Sequence, residues 1–165
     1  MPSGNGASDN SAELFKEARA VAIGYLARRE YSANELRERL HHKGFPHELI
    51  TALLADLQER DLQSDQRFSD AYVRARKEKG YGPTRIGGEL QQKGISAATA
   101  HASLHDPDHD WRAQARLLKI RRFGQGRSAA PNELLKQKRF LYQKGYSNEH
   151  IRAAFDDDEQ DVLMS

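Results

Sequence analysis

The sequence predicts an all-α fold: an elongated, curved array of three tandem three-helix repeats. Three observations carry that expectation. A Lys-Gly-apolar tripeptide returns at Lys43-Gly44-Phe45, Lys93-Gly94-Ile95 and Lys144-Gly145-Tyr146, at spacings of 50 and 51 residues. Apolar residues around it recur at helical rather than strand spacing. No segment alternates apolar and polar residues for the length a strand needs. The chain has 165 residues, of which 38% are hydrophobic and 30% charged, a composition that favours thin packing with much exposed surface over one thick core.

The flanks of the tripeptide keep the same register. Leu40, Leu90 and Leu141 stand three residues before each Lys, and Ile50, Ala100 and Ile151 follow each apolar anchor by five. Tyr31 and Tyr81 each precede a Lys by twelve. In every copy a helix should end near the Lys, whose charge suits the negative end of the helix dipole. The Gly can then take the left-handed conformation that closes a helix. The next helix starts at once, with Pro46 in a first-turn position and Ser96 and Ser147 as N-caps. The helix before each elbow opens at Ser32-Ala33-Asn34-Glu35, a capping box, at Gly82-Pro83-Thr84, or at Ala130-Pro131-Asn132-Glu133.

A further helix begins each repeat. The first covers about 12–29, with a stripe of Leu14, Ala18, Val21, Ala22, Tyr25 and Leu26. The second covers about 65–79 with Phe68, Ala71, Tyr72 and Ala75, and the third about 110–123 with Trp111, Leu117, Leu118 and Phe123. Nine helices in three triplets result, each triplet too small to stand comfortably alone. The expected divisions are a disordered tail at 1–11, repeats at 12–62, 63–106 and 107–155, and an acidic tail at 156–165.

Charge is unevenly spread. Residues 1–66 carry a balance of −3, residues 67–105 of +4, residues 106–153 of +6 and residues 154–165 of −5. A polyanion-facing surface in the second half is one reading, and a solvated face of mixed charge is the plainer one. The candidates are Arg74, Arg76, Lys77, Lys79, Arg85 and Lys93, then Arg116, Lys119, Arg121, Arg122 and Arg127, then Lys136, Lys138 and Arg139. Tyr72, Tyr81 and Phe123 lie among them. Arg85 is also placed to pair with Glu89 one helical turn on.

Several chemistries are excluded or disfavoured. With no cysteine there is no disulfide, thiolate zinc site or cysteine nucleophile. No Walker pattern is present to cradle a nucleotide phosphate. Asp106-Pro107-Asp108-His109-Asp110 imitates the start of a calcium loop, but Trp111 and Leu117 stand where the loop needs Gly and Glu. It reads as a linker, with Asp108 or Asp110 capping the next helix. His101 and His105 share a helix face without a third ligand, too little for a metal site. No cofactor and no metal are expected. No apolar run is long enough for a membrane span, and the N-terminal residues lack a signal pattern. A cytoplasmic monomer without membrane association is expected.

Three elements together resemble the RecX family. They are Tyr31 to Leu40 followed by Lys43-Gly44-Phe45; Phe68-Ser69-Asp70-Ala71-Tyr72 with Gly82-Pro83-Thr84-Arg85-Ile86 and Lys93-Gly94-Ile95; and Lys138-Arg139-Phe140-Leu141 with Lys144-Gly145-Tyr146. The resemblance covers about 14–155. The connector Gln58 to Asp65 departs from the family's usual form, and the third repeat is shorter than in many members. What it implies is a regulator without catalytic residues that binds the RecA–DNA filament. Such a regulator inhibits RecA's ATPase, strand exchange and co-protease activity, and so restrains recombination and the SOS response. Its partners would be RecA and, more weakly, single- and double-stranded DNA, met through the basic residues named above. The alternative is a helical DNA-binding protein that acts without RecA.

Overall fold

The computed structural model describes residues 5–126 and 130–163. Among them are nine helices and no strand: α1 (Asn5–Leu26), α2 (Ala33–His42), α3 (His47–Glu59), α4 (Asp65–Glu78), α5 (Pro83–Gln92), α6 (Ala97–Leu104), α7 (Trp111–Phe123), α8 (Pro131–Lys144) and α9 (Asn148–Leu163). They form two compact units. One contains the residues up to Ala71 together with Lys93–Ile95, and the other contains Tyr72–Gln92 and the residues from Ser96 onward.

In the first unit α1, α2 and α3 pack on one another. Their shared core is built from Ala18, Ala22, Leu36, Leu40, Leu53 and Leu57, all without exposed surface, each leucine contributing roughly 1.5–3 kcal/mol by leaving water. Ser32 begins α2 as the capping box requires: Glu35 N–H donates to Ser32 Oγ at 3.0 Å, and Ser32 N–H donates to Glu35 Oε2 at 3.2 Å. The connector after α3 is tied to this same helix start. Buried Gln63 donates to the Tyr31 carbonyl at 3.1 Å, and Asp65 accepts from Ala33 N–H at 2.9 Å. Helix α1 begins at Asn5, so the segment expected as a tail is helical from that residue. It resembled a tail because every side chain from Gly6 to Glu13 is exposed and none supplies an apolar signal.

In the second unit α5 packs on α6, while α7, α8 and α9 pack mutually. Asp110 caps α7 by accepting from Ala113 N–H at 3.0 Å. The preceding acidic run is a turn held by Asp106, whose side chain accepts from Asp108 N–H at 2.9 Å. The buried stripe of α7 is Trp111, Ala115 and Lys119, whereas Leu117, expected inside, is exposed. Helix α9 continues through the acidic segment from 156 to Leu163.

The elbows close as their sequences require. At the first, Gly44 N–H donates to the His41 carbonyl at 2.9 Å and Phe45 N–H to the Leu40 carbonyl at 3.2 Å, the paired bonds that satisfy a helix's last carbonyls. At the third, Gly145 and Tyr146 bond in the same way to Tyr142 and Leu141, at 3.0 and 3.2 Å. A further copy off the fifty-residue register, Lys79-Gly80-Tyr81, ends α4 with the same two bonds, to Lys77 and Arg76. The third elbow also meets the turn before α5. Gly82 N–H donates to the Lys144 carbonyl at 2.8 Å and Thr84 N–H to the Gly145 carbonyl at 2.9 Å. Tyr146, fully buried, donates its hydroxyl to the Gly80 carbonyl at 3.2 Å.

Candidate interaction surface

The basic candidates fall into separate places. On α4 and α5 the organising group is Glu89. Arg76 grips it with both arms of its guanidinium, at 2.9 and 2.7 Å, Tyr72 donates its hydroxyl at 2.5 Å, and Arg85 donates at 3.3 Å. Burial works against the charged form of Glu89, but the hydrogen bonds from Arg76 and Tyr72 outweigh it and hold the carboxyl below its ordinary range. Beside this pair the Tyr81 ring is ringed by cations: Arg76 at 4.0 Å, Arg85 at 4.3 Å and Lys144 at 4.9 Å from its centroid. Three positive groups and one carboxylate therefore share a fixed position, where the aromatic face offsets part of the crowding. The Arg85–Glu89 pair expected from spacing is present.

Nearby, Lys77 faces His109, with Nζ and Nδ1 3.2 Å apart, and lies 5.8 Å from the Trp111 ring. Burial, and then the Lys77 charge, push the His109 imidazole below its usual pKa. Arg74 on α4 and Lys79, just past its end, are exposed. Helix α4 thus divides its cations: Arg67, Arg76 and Lys77 are engaged with neighbours, and Arg74 is exposed.

Four candidates lie apart from these. Lys93 belongs to the first unit, where it pairs with Glu35 at 3.3 Å. Lys119 has no exposed surface. Its ammonium donates to the Gly126 carbonyl at 3.0 Å and sits 4.7 Å from the Phe155 ring. A buried ammonium offers nothing to a partner, and the spacing of Trp111, Ala115 and Lys119, four residues apart each time, was the available signal that this Lys continues the inner stripe. Arg127 lies outside the described residues. Arg116 is half-buried and lines a shallow cleft with Asp110, Leu117 and Asp156.

The remaining cations gather on α7 and α8. Arg121, Arg122, Lys136 and Arg139 are exposed and Lys138 is half-buried. Arg122 lies 5.6 Å from the Phe140 ring and Lys138 lies 5.5 Å from that of Phe155. The aromatics singled out in the sequence are not free here. Tyr72 holds Glu89, Tyr81 is covered by cations, and Phe123 packs edge-on against Phe140 at 5.3 Å. The open aromatic is Tyr142, 65% exposed, with Leu135 two turns earlier at 54%. Tyr142 does not stand out in the sequence, because α8 reads as an ordinary amphipathic helix, and Lys144 reads there as part of a structural elbow and not among the surface cations.

Among the described residues no three His, Asp or Glu side chains come together as metal ligands would. His101 and His105 stack on each other at 3.9 Å. No described helix is long and apolar enough to cross a membrane.

Helix triplets, each with a glycine-bearing elbow, define the class: a protein of tandem three-helix domains. Residues 18–57, 64–104 and 110–155 match in turn the first, second and third three-helix domains described for RecX. The chain is 39% identical to the regulatory protein RecX of Halorhodospira halophila over 136 residues, 82% of this chain and 84% of that one. It is 38% identical to that of Pseudomonas entomophila over 133 residues, 81% and 86% of the two chains. The crystal structure of RecX from Lactobacillus salivarius superposes with a TM-score of 0.78, covering 90% of this chain and 99% of that one at 21% identity. The chain belongs to the RecX family of regulatory proteins.

Proposed function

We propose that this protein is a negative regulator of the RecA recombinase, binding the RecA–DNA filament in the cytoplasm and inhibiting ATP hydrolysis, strand exchange and co-protease activity without chemistry of its own. The observation that carries the reading is the match of all three helical domains, in order, to the RecX family. The charge distribution supports it, since a basic second half suits a partner that contains DNA. In mechanism, several domains engaged at once would bridge neighbouring RecA protomers, or a protomer and its DNA, and so block filament growth or turnover. Linked weak contacts of this kind reinforce one another through effective concentration.

The test is DNA-dependent ATP hydrolysis by RecA with this protein titrated in. Loss of hydrolysis well below one regulator per recombinase is expected for action on filament growth. Unchanged hydrolysis and filament length at a stoichiometric excess would remove the proposal.

A further inference from the structure

We infer that the junction of α4 with the start of α7 is an acid-released latch, closed while the imidazoles of His109 and His150 are uncharged and loosened when they take up protons. Both rings stand at the positive end of a helix. His109 immediately precedes Asp110, the N-cap of α7. His150 lies in the first turn of α9, where its backbone N–H donates to Ser147 Oγ at 3.2 Å. The helix dipole opposes a cation at either place.

The contacts of His109 require the neutral ring. Lys77 Nζ lies 3.2 Å from His109 Nδ1. An ammonium has donors only, so Nδ1 must accept and the ring proton must sit on Nε2. An imidazolium has no acceptor left, and the same contact would set two cations against each other. Lys77 is also held to α7 through its backbone, because Gln114 Nε2 donates to the Lys77 carbonyl at 3.4 Å. The other charged groups around His109 are Arg74 and Glu78 on α4 and Asp106 and Asp108 in its own turn. The two aspartates favour the imidazolium, whereas burial, Lys77 and Arg74 oppose it and prevail.

His150 reaches the same outcome by another route. Its Nδ1 is buried and has no hydrogen-bond partner among the described residues. A bare ring nitrogen is tolerated there as an idle acceptor, but a proton on it would be a buried charged donor with nothing to receive it. Facing it are Asp110 and Arg112 at the start of α7, and beside it Glu149, which is itself paired with Arg112. Burial, helped by Arg112, outweighs the two carboxylates and holds this imidazole below its usual range as well.

Folding thus lowers both imidazoles from 6.5, and the unfolded chain takes up protons first. The stabilising effect of the latch is complete above that value and is lost as pH falls through the lower values of the folded state. The window lies above the range in which carboxylates ordinarily titrate. Opening releases Lys77 from its partner, so the cations that α4 offers change with pH.

The experiment uses the full chain alone, with no recombinase and no nucleic acid. Urea unfolding is compared at about pH 7.5 and about pH 5.5 in the native chain, in His109→Asn, in His150→Leu and in the double variant. The Asn amide offers Lys77 an uncharged acceptor in place of Nδ1. The native unfolding constant should rise on acidification by up to about tenfold for each histidine, the ratio for a group required to stay neutral one unit below its ordinary value. Each single variant should lose its own share of that rise, and the double variant both. Trp111, the sole tryptophan, reports the event locally, since its ring centroid lies 5.3 Å from that of His109 and an imidazolium quenches indole emission. Emission of the folded native chain should fall as pH drops through this window, and His109→Asn should abolish that step. A double variant whose stability falls with acid as steeply as that of the native chain overturns the inference. So does an emission step that survives in His109→Asn, or folded native emission that does not change with pH. A variant weakened at neutral pH still decides the matter, because only the slope with pH is compared.

Discussion

The first and third elbows carry the same tripeptide, the same pair of closing hydrogen bonds, and glycines with φ of +89° and +100°. Locally they are one structure. Their surroundings differ. A Cβ on Gly44 would meet nothing within 4 Å, whereas one on Gly145 would lie 2.3 Å from the Arg85 Cβ and 2.8 Å from its backbone nitrogen. Across the contact, a Cβ on Gly82 would lie 2.5 Å from the Gly145 carbonyl. The first elbow needs Gly for its dihedral angles alone. The third needs it also because two backbones touch there, a requirement written at two distant positions.

That contrast sets the order of the effects. Gly145→Ala should be the most damaging, at about 3–5 kcal/mol in urea unfolding, since a left-handed penalty and a backbone collision coincide. Gly82→Ala, where φ is not positive, should cost about 2–4 kcal/mol from the collision alone. Gly44→Ala should cost only about 1–2 kcal/mol, the price of the left-handed angle. Equal losses at Gly44 and Gly145 would erase the distinction drawn above.

A finer test uses the anchors, Phe45 in one elbow and Tyr146 in the other. Tyr146→Phe should cost about 1 kcal/mol near neutral pH by removing the bond to the Gly80 carbonyl. Burial pushes the Tyr146 phenol up to about 12, against an ordinary value of 10.0. The folded state thus favours the protonated phenol. Its contribution is complete below pH 10 and is lost as pH rises toward 12. Stability measured from pH 9 to 12 should fall more steeply in the native protein than in Tyr146→Phe, and parallel curves would show that the phenol is not the titrating group.

Much of this was legible in the sequence, and the limits have physical causes. The capping box at Ser32, the cap at Ser96, the glycine elbows and the Arg85–Glu89 pair are local devices. Each depends on residues within five positions, and each is found in the structure. Leu14, Ala18, Val21, Ala22, Tyr25 and Leu26 were read as one stripe and contribute to one core. What escaped was set by tertiary neighbours. Lys119 is buried because Phe155 and the Gly126 carbonyl come to it from elsewhere in the chain. Ala75 is exposed despite its helical spacing, because among the described residues no element covers it. Lys144 looked like a helix end and proved to be the third cation around Tyr81. Among the surface candidates the sequence located the basic segments, but could not separate cations already neutralised by the protein from those left open.

The assignment of Lys93–Ile95 to the first unit has a consequence for how the molecule comes apart. These residues sit, by sequence, inside the second three-helix domain, yet a Cβ on Gly94 would touch Asn34 at 3.1 Å. Helix α4 likewise begins in one unit and ends in the other. The period of the sequence and the period of the packing are out of phase, as courses of brick overlap their joints. A protease cutting between α3 and α4 would therefore not free an intact first unit, because residues 65–71 and Lys93–Ile95 lie downstream of the cut. Any genetic loss of the middle domain would remove a piece of its predecessor as well.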